Sequence, residues 1–175
     1  MKLAAISVDL DEIGCYAAIY GLRPPGPSAA RAIYDKALPR LAELFERERI
    51  AATFFAIGKD LDADNAARIA DLHARGHEIA SHSQSHYYDL TRRPREVMRD
   101  EVLRAQDAIE RACGERPKGF RAPGYTINDA LFDVLEQEKL LYDSSVFPCP
   151  AYWAAKATAI GAIRVRGRRS DSIVD

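Results

Sequence analysis

The sequence predicts an α/β protein built on a parallel sheet or barrel, because short apolar segments alternate with helical patterns along most of the 175 residues. Glycine or acidic residues end several of these segments, as is typical where a strand passes into a loop. No glycine-rich phosphate fingerprint follows the first strand, which favours a sheet or barrel of the (β/α) type. A chain of this length suits one domain, taken here as residues 1–175.

The first apolar segment, Leu3–Leu10, predicts a buried strand. The connection over residues 12–33 contains a cluster of prolines and glycine, which predicts irregular structure over most of its length. Ser28 is a candidate cap for a helix through Ala37, and Pro39 marks a fresh helical start.

The middle of the chain repeats the alternation. Residues 50–58 form an aromatic-rich strand ended by glycine, and Asn65–Arg75 a helix stopped by Gly76. His77–Ala80 is a short third strand, and Pro94–Cys113 the longest helix.

Four further elements complete the pattern. Lys118–Arg121 reads as a brief strand and Asn128 caps the helix after it. Strands are then expected at Leu140–Tyr142 and Ala159–Val165.

Composition excludes several classes of protein. The formal charge of -1 does not favour a nucleic acid or an anionic membrane as partner. Three widely spaced cysteines fit neither a disulfide framework nor a zinc knuckle. The N-terminus shows no signal peptide or membrane span, so we expect a cytoplasmic protein. A homo-oligomer could form through residues 12–33 or an open sheet edge.

Histidines and aspartates supply a candidate metal site. Three of the four histidines lie in Gly76–His86, and the spacing of His82 and His86 lets both bind one cation. The alternative is a pair of solvent-exposed loop histidines. Asp9 and Asp11 are two residues apart on a strand, which places them on one face; the alternative is a pair of capping acids.

The candidate residues share a position in the predicted fold. Each lies where a strand ends, and in a (β/α) barrel the C-terminal ends of the strands meet on one face. We therefore expect six side chains, spread over the chain, to converge: Asp9, Asp11, His82, His86, Arg121 and Asp143.

These residues carry a resemblance to the polysaccharide deacetylase (NodB homology) family, also called carbohydrate esterase family four, over nearly all of residues 3–150. Ser7–Asp11 resembles its first motif, in an Asp-x-Asp form where most members have adjacent aspartates. His82–His86 resembles the second motif, Phe120–Tyr125 the third and Asp143–Ser145 the fourth. The family fold is a distorted (β/α) barrel of about seven strands, which we expect to be incomplete in this chain.

The resemblance implies a role for each motif. Asp11, His82 and His86 would bind one divalent metal ion, with Zn²⁺ expected and Co²⁺, Fe²⁺ or Ni²⁺ as alternatives. Asp9 would be the general base for the attacking water, or else an acid that only orients a histidine. Arg121 would pair with Asp9 or Asp143 to hold the base ionised and oriented, unless it forms an ordinary structural salt bridge.

The resemblance also implies a substrate site. A backbone amide of Gly124 or Tyr125 would stabilise the oxyanion. Ser144 and Ser145 are candidate sugar contacts. The aromatic residues are equally compatible with a sugar site or a core, and they are Tyr125, Tyr152 and Trp153.

One departure from the family bears on activity. A fifth motif usually supplies a histidine as general acid, but no histidine follows His86 in this sequence. Because only about six strands are predicted, we expect the chain to be a fragment of a longer protein. The sequence predicts a metal-dependent hydrolase that removes N-acetyl groups from a polysaccharide, peptidoglycan or glycolipid sugar. The alternatives are a hydrolase of a non-sugar amide or formamide, and a non-catalytic sugar-binding descendant.

Overall fold

The computed structural model describes residues 4–174, which form a parallel sheet with helices on the connections. The five strands in this part of the chain are β1 (Ser7–Asp9), β2 (Thr53–Ala56), β3 (Glu78–Ser81), β4 (Gly119–Phe120) and β5 (Tyr142–Asp143). They pair in sequence order, each parallel to the next. This confirms the predicted α/β arrangement, and the five strands correspond to part of a barrel.

Helices follow the strands as the alternation predicts. They are α1 (Ile13–Ile19), α2 (Pro27–Ala30), α3 (Leu38–Glu48), α4 (Ala63–Ala74), α5 (Arg95–Cys113), α6 (Asp129–Gln137) and α7 (Pro150–Val165), with a π-helical turn at Ile33–Ala37. Asn128 caps α6 as predicted, since its side chain accepts a hydrogen bond from the Leu131 N–H at 3.0 Å. α3 begins at Leu38, with Pro39 in its first turn, as the fresh start at Pro39 predicts.

The prediction that residues 12–33 are mostly irregular is wrong. α1 occupies Ile13–Ile19, which contains no proline, and Pro27 opens α2 instead of preventing it. The prolines and glycine of residues 24–26 break the chain only where they stand, and proline is compatible with the first turn of a helix.

The predicted last strand is also wrong. Ala159–Val165 forms the second half of α7, which starts at Pro150. Alanine recurs through this helix and has the highest helix propensity, whereas the strand prediction weighed only the apolar character of the segment. Leu3, at the start of the first predicted strand, lies outside the described residues, and β1 is shorter than predicted.

The core forms two clusters, and α5 contributes residues to both. The first packs the strands β1–β3 against α3 and α4, around Phe54, Ile69 and Leu72. The second joins α5 and α6 around Phe120, Val102 and Leu131.

The sheet is strongly curved. Arg121 directly follows β4, yet its guanidinium donates to Ser7 Oγ at 2.9 Å and to Asp9 Oδ1 at 2.6 Å, both in β1. β2 and β3 lie between these strands in the pairing order. The C-terminal ends of the strands therefore close around a common centre, as barrel geometry predicts.

Candidate active site

Three side chains converge beyond the ends of β1 and β3. His82 Nε2 lies 3.3 Å from Asp11 Oδ1, and His86 Nε2 lies 3.4 Å from Asp11 Oδ2. One ligand atom from each residue falls within 4.8 Å of the other two. These are the three residues that the family resemblance implies as ligands, and three protein ligands leave a coordination position open.

The orientation of His82 is set by the backbone of the neighbouring strand. Its ring is 1% exposed, and Nδ1 lies 2.6 Å from the carbonyl oxygen of Arg121. Because a carbonyl can only accept, Nδ1 donates this hydrogen bond, and Nε2 is the ring nitrogen that faces Asp11. Such a hydrogen bond to the outer nitrogen is typical of metal-binding histidines.

His86 is positioned by a tight loop. Ser83 and His86 have positive φ angles of 64° and 58°, which non-glycine residues rarely adopt. The His86 N–H donates to Ser83 Oγ at 3.1 Å, and the Glu101 carboxylate in α5 accepts the Ser85 N–H at 2.6 Å. Glu101 is 3% exposed, so α5 holds the loop from beneath.

The three residues fit a divalent cation. Asp11 Oδ1 and His86 Nε2 are buried without a hydrogen-bond partner among the described residues, although buried polar atoms are almost always paired. Burial alone would raise the pKa of Asp11, but the imidazoles of His82 and His86 that face its carboxylate outweigh burial and hold that pKa below its ordinary value. A carboxylate and two imidazoles facing one point are a ligand set for zinc or another transition metal.

Asp9 lies beside this centre, paired with Arg121. The Arg121 side chain is almost buried, and its Nη1 donates to Asp9 Oδ1 at 2.6 Å. Its other nitrogens donate to Ser144, to the carbonyl oxygen at 3.2 Å and to Oγ at 2.8 Å, and the guanidinium stacks 4.0 Å from the centroid of the Phe55 ring. Of the two partners predicted for Arg121, the structure therefore shows Asp9.

Asp143 instead engages the chain that follows it. Its carboxylate accepts the Ser145 N–H at 2.8 Å and the Ser145 hydroxyl at 2.5 Å. Burial raises the pKa of Asp143 above its ordinary value. A catalytic role for Asp143 remains a prediction.

The expected sugar contact of Ser145 is wrong for this structure. Ser145 is fully buried, and its Oγ accepts the Ala122 N–H at 2.7 Å while donating to Asp143. A hydroxyl with both functions used inside the protein joins strand ends and does not reach a ligand. Ser144 is partly exposed, and its contact with sugar remains a prediction.

The turn at Gly124 and Tyr125 forms a rim of the site. Both residues have positive φ angles, and the Tyr125 N–H already donates to the Ala122 carbonyl at 3.0 Å. Of the two amides expected to face an oxyanion, that of Tyr125 is therefore engaged within the turn. The stabilising role of the Gly124 amide stays a prediction.

Aromatic rings extend from this rim. The Tyr125 ring stacks on Phe147 with centroids 5.2 Å apart, and Tyr152 packs edge-on against both of them. Trp153 continues the row at 5.1 Å from Tyr152. Phe147 is 41% exposed and was not predictable from the sequence, because a single aromatic residue in a loop carries no periodic signal.

Fold and site together define a class: an α/β protein with a parallel, curved sheet and an Asp-His-His candidate metal site at the C-terminal ends of its strands. The family model of polysaccharide deacetylases matches residues 26–142. The chain belongs to the polysaccharide deacetylase family.

Individual relatives agree with this assignment. The chain is 25% identical over 148 residues to a peptidoglycan deacetylase from Helicobacter pylori, covering 82% of this chain and 49% of the relative. It is 38% identical over 86 residues to a chitooligosaccharide deacetylase from Bradyrhizobium, covering 49% of this chain and 38% of the relative. The chain thus spans half or less of the length of these two relatives.

A solved structure shows the same fold. The crystal structure of a candidate polysaccharide deacetylase from Mycobacterium smegmatis superimposes with a TM-score of 0.70 at 25% sequence identity, covering 82% of this chain and 50% of that one. None of the helices within residues 4–174 is long and apolar enough to cross a membrane.

Proposed function

We propose that this protein is a metal-dependent hydrolase that removes an acetyl group from an N-acetylated sugar of a polysaccharide, peptidoglycan or glycolipid. The observation that carries the proposal is the juxtaposition of two groups of residues. Asp11, His82 and His86 face one point, and the Asp9–Arg121 pair lies beside them at the same ends of the strands. The names of the relatives, both deacetylases, support the same reaction.

The residues divide the chemistry between them. A divalent cation, with Zn²⁺ the expected ion, would supply Lewis acidity and lower the pKa of water when held by Asp11, His82 and His86. Asp9 accepts the proton of the attacking water at a carboxylate oxygen, while Arg121 orients that carboxylate through its 2.6 Å hydrogen bond. The Gly124 amide would polarise the amide carbonyl of the substrate from the rim of the site.

The aromatic row supports a sugar as substrate. A pyranose ring has apolar faces that pack on aromatic rings, and its hydroxyls need polar partners nearby. Tyr125, Phe147 and Tyr152 offer such a surface next to Arg121, whose guanidinium carbon lies 5.7 Å from the Tyr125 ring centroid. A non-sugar amide would gain less from three adjacent rings.

A second candidate is a sugar-binding protein without catalysis. The observation that favours it is that no histidine follows His86 within these 175 residues, whereas the family usually supplies its general acid from a histidine later in the fold. In that case the metal site and aromatic row would bind an N-acetylated sugar, and the leaving amine would have no proton donor.

The experiment combines metal analysis with acetate release. Wild-type protein reconstituted with zinc should hold one ion per chain and release acetate from acetylated chito-oligosaccharides or peptidoglycan fragments, in preference to small amides. His86→Ala should lose the ion and the activity. His73→Ala, a half-exposed histidine on α4, is the matched control and should keep both. Full metal occupancy in His86→Ala would refute the site, and metal binding without acetate release would favour the second candidate.

A further inference from the structure

A cavity of about 700 Å³ adjoins the candidate metal site. His86 forms part of its wall, and the remaining walls come from α1, from the segment that follows His86, and from the end of α7 with residues 169–173. The cavity is distinct from the aromatic row, because none of Tyr125, Phe147, Tyr152 and Trp153 lines it. It is large enough for a substituted sugar or a small anion.

The lining of this cavity is strongly basic. Its positively charged side chains are Lys59, Arg92, Arg93, Arg164 and Arg169. Its acidic side chains are Asp89 and Asp171. Asp89 pairs with Arg93 at 2.8 Å, and Arg92 donates to the Val174 carbonyl at 3.1 Å. Three further cationic side chains, Lys59, Arg164 and Arg169, stand against Asp171 in the rest of the lining. The whole chain carries a formal charge of -1, so the lining of this cavity is more positive than the chain as a whole.

A concave surface of one sign attracts ligands of the other. Field lines are concentrated where a cleft is walled by protein of low dielectric constant, which raises the local concentration of counter-ions. Arginine in particular presents paired N–H groups that match the oxygens of a phosphate or carboxylate. A neutral glycan would draw no comparable benefit from these cations.

A buried hydroxyl provides independent support for a ligand. Tyr88 lines the same cavity and is 6% exposed, yet its hydroxyl has no hydrogen-bond partner among residues 4–174. Its ring packs edge-on against His86, with centroids 4.7 Å apart. A buried hydroxyl is almost always paired, so a bound group that accepts or donates a hydrogen bond would account for it.

We propose that this cationic cavity binds an anionic group, a phosphate or a carboxylate, next to the metal site. Where the anion is a substituent of the substrate, the inference rests on the proposed function and narrows its substrate to an anionic derivative of an N-acetylated sugar. Where it is a free anion, the cavity is a separate ligand site. The shared chemistry is the recognition of anionic oxygens by arginine and lysine.

Binding is tested first on metal-free protein, so that the result does not depend on catalysis. Inorganic phosphate is titrated by calorimetry into wild type, the double variant Arg164→Gln/Arg169→Gln, and Arg40→Gln as a matched control on the exposed side of α3. We expect the Kd to rise at least about tenfold in the double variant and to stay unchanged in the control. Equal phosphate affinity in the wild type and the double variant overturns the proposal.

Acetate release then distinguishes the two sources of the anion. N-acetylglucosamine 1-phosphate is compared with the uncharged methyl glycoside on the zinc-loaded enzyme. For a substrate substituent, kcat/KM should favour the phosphate by at least about tenfold, and the double variant should abolish the preference. Equal rates together with arginine-dependent phosphate binding assign the cavity to a free anion. Acetate release without phosphate binding overturns the anion site and leaves the deacetylase proposal standing. Arginine-dependent phosphate binding without acetate release overturns the deacetylase proposal and leaves the anion site standing.

Discussion

Asp9 and Asp11 are two residues apart but have different surroundings. Asp11 faces His82 and His86 through both carboxylate oxygens, whereas Asp9 is held by Arg121. Two acids with separate partners can serve separate roles, one as ligand and one as base. The Asp-x-Asp spacing therefore matters because it sends the two carboxylates to two different neighbours.

The roles of these acids are separable by substitution. Asp9→Asn should retain the metal, because its three ligands are untouched, and should lose at least about a hundredfold in kcat, since the amide cannot accept the proton. Metal content by elemental analysis and acetate release on the same samples provide the test. Asp64→Asn, an exposed acid in the first turn of α4, should change neither quantity. Loss of metal from Asp9→Asn would show that Asp9 is a ligand and not the base.

Sequence patterns identified the site residues that belong to motifs at the ends of strands. They did not identify the supporting roles of buried residues such as Ser145 and Glu101. Asp11, His82 and His86 were predictable because ligands must recur at strand ends to converge. The burial of Ser145 was not, because a serine after a strand is compatible with either a ligand contact or a backbone link. Glu101 lies within an ordinary helical pattern, and nothing in its spacing shows that it faces the loop Ser83–His86.

Asp60, an acid outside the candidate active site, should make the free energy of unfolding depend on pH. Burial raises the pKa of Asp60 to about 6, assisted by nearby Glu12 and Asp11. The folded state then binds more protons than the unfolded state between the ordinary pKa of 3.8 and about 6, so stability falls as pH rises through this interval. Above this pH interval, the ionised Asp60 carboxylate lowers the free energy of unfolding by up to about 3 kcal/mol, at about 1.4 kcal/mol for each pKa unit.

Asp60→Asn removes that cost and should therefore stabilise the protein at pH 8, with the gain shrinking towards pH 4. Urea denaturation of metal-free protein at several pH values measures the effect. A gain of the same size at every pH would show that the carboxylate itself is not responsible. Asp64→Asn is again the exposed control.

At the level of elements, two segments hold the loop Ser83–His86, which carries the ligand His86. The Gly58 N–H donates to the Ser83 carbonyl at 3.0 Å and the Lys59 N–H to the Gln84 carbonyl at 2.9 Å, so the turn after β2 supports one side. Glu101 of α5 supports the other through Ser85. These contacts maintain two residues at positive φ, a conformation that persists only when its surroundings stabilise it.

Removing the support from α5 should weaken metal binding. Glu101→Ala leaves the Ser85 N–H without its acceptor and frees the loop that carries His86, so the Kd for zinc should rise about tenfold or more. Glu101→Gln keeps an acceptor oxygen and should restore most of the affinity. Glu96→Ala, exposed in the first turn of the same helix, should leave the Kd unchanged. Competition with a chromogenic chelator measures all three, and equal affinity in Glu101→Ala would show that the loop holds itself.

Element prediction succeeded where two kinds of signal agreed and failed where only one was used. β2, β3 and α5 combined apolar periodicity with a glycine or proline boundary, and all three were confirmed. The second half of α7 was mistaken for a strand because its apolar run was considered without its alanine content. The prolines before α2 were taken to prevent helices over most of residues 12–33, but proline constrains only the residues next to it.

Considered as a whole, the sheet is closed on its concave side by one arginine. Arg121 follows β4, reaches Ser7 and Asp9 in β1, and also binds Ser144 directly after β5. The order of strands and their meeting at one end were predictable from the βα alternation. The degree of curvature was not, because it depends on side chains that contact across several strands and leave no local pattern in the sequence.

Arg121 should therefore contribute to global stability as well as to catalysis. Arg121→Met leaves Asp9 partly buried without its partner, and truncating one member of such a pair costs on the order of 3–5 kcal/mol. In Arg121→Met/Asp9→Asn no unpaired charge remains, so part of this loss should be recovered, with a coupling energy of about 1–3 kcal/mol between the two positions. Urea unfolding of the four metal-free proteins measures the cycle.

Arg47→Met, which breaks an exposed contact with Glu48, should have a much smaller effect. Strict additivity of Arg121→Met and Asp9→Asn would mean that the pair does not tie β1 to β4, and the curvature of the sheet would then have to come from backbone pairing and the apolar clusters alone.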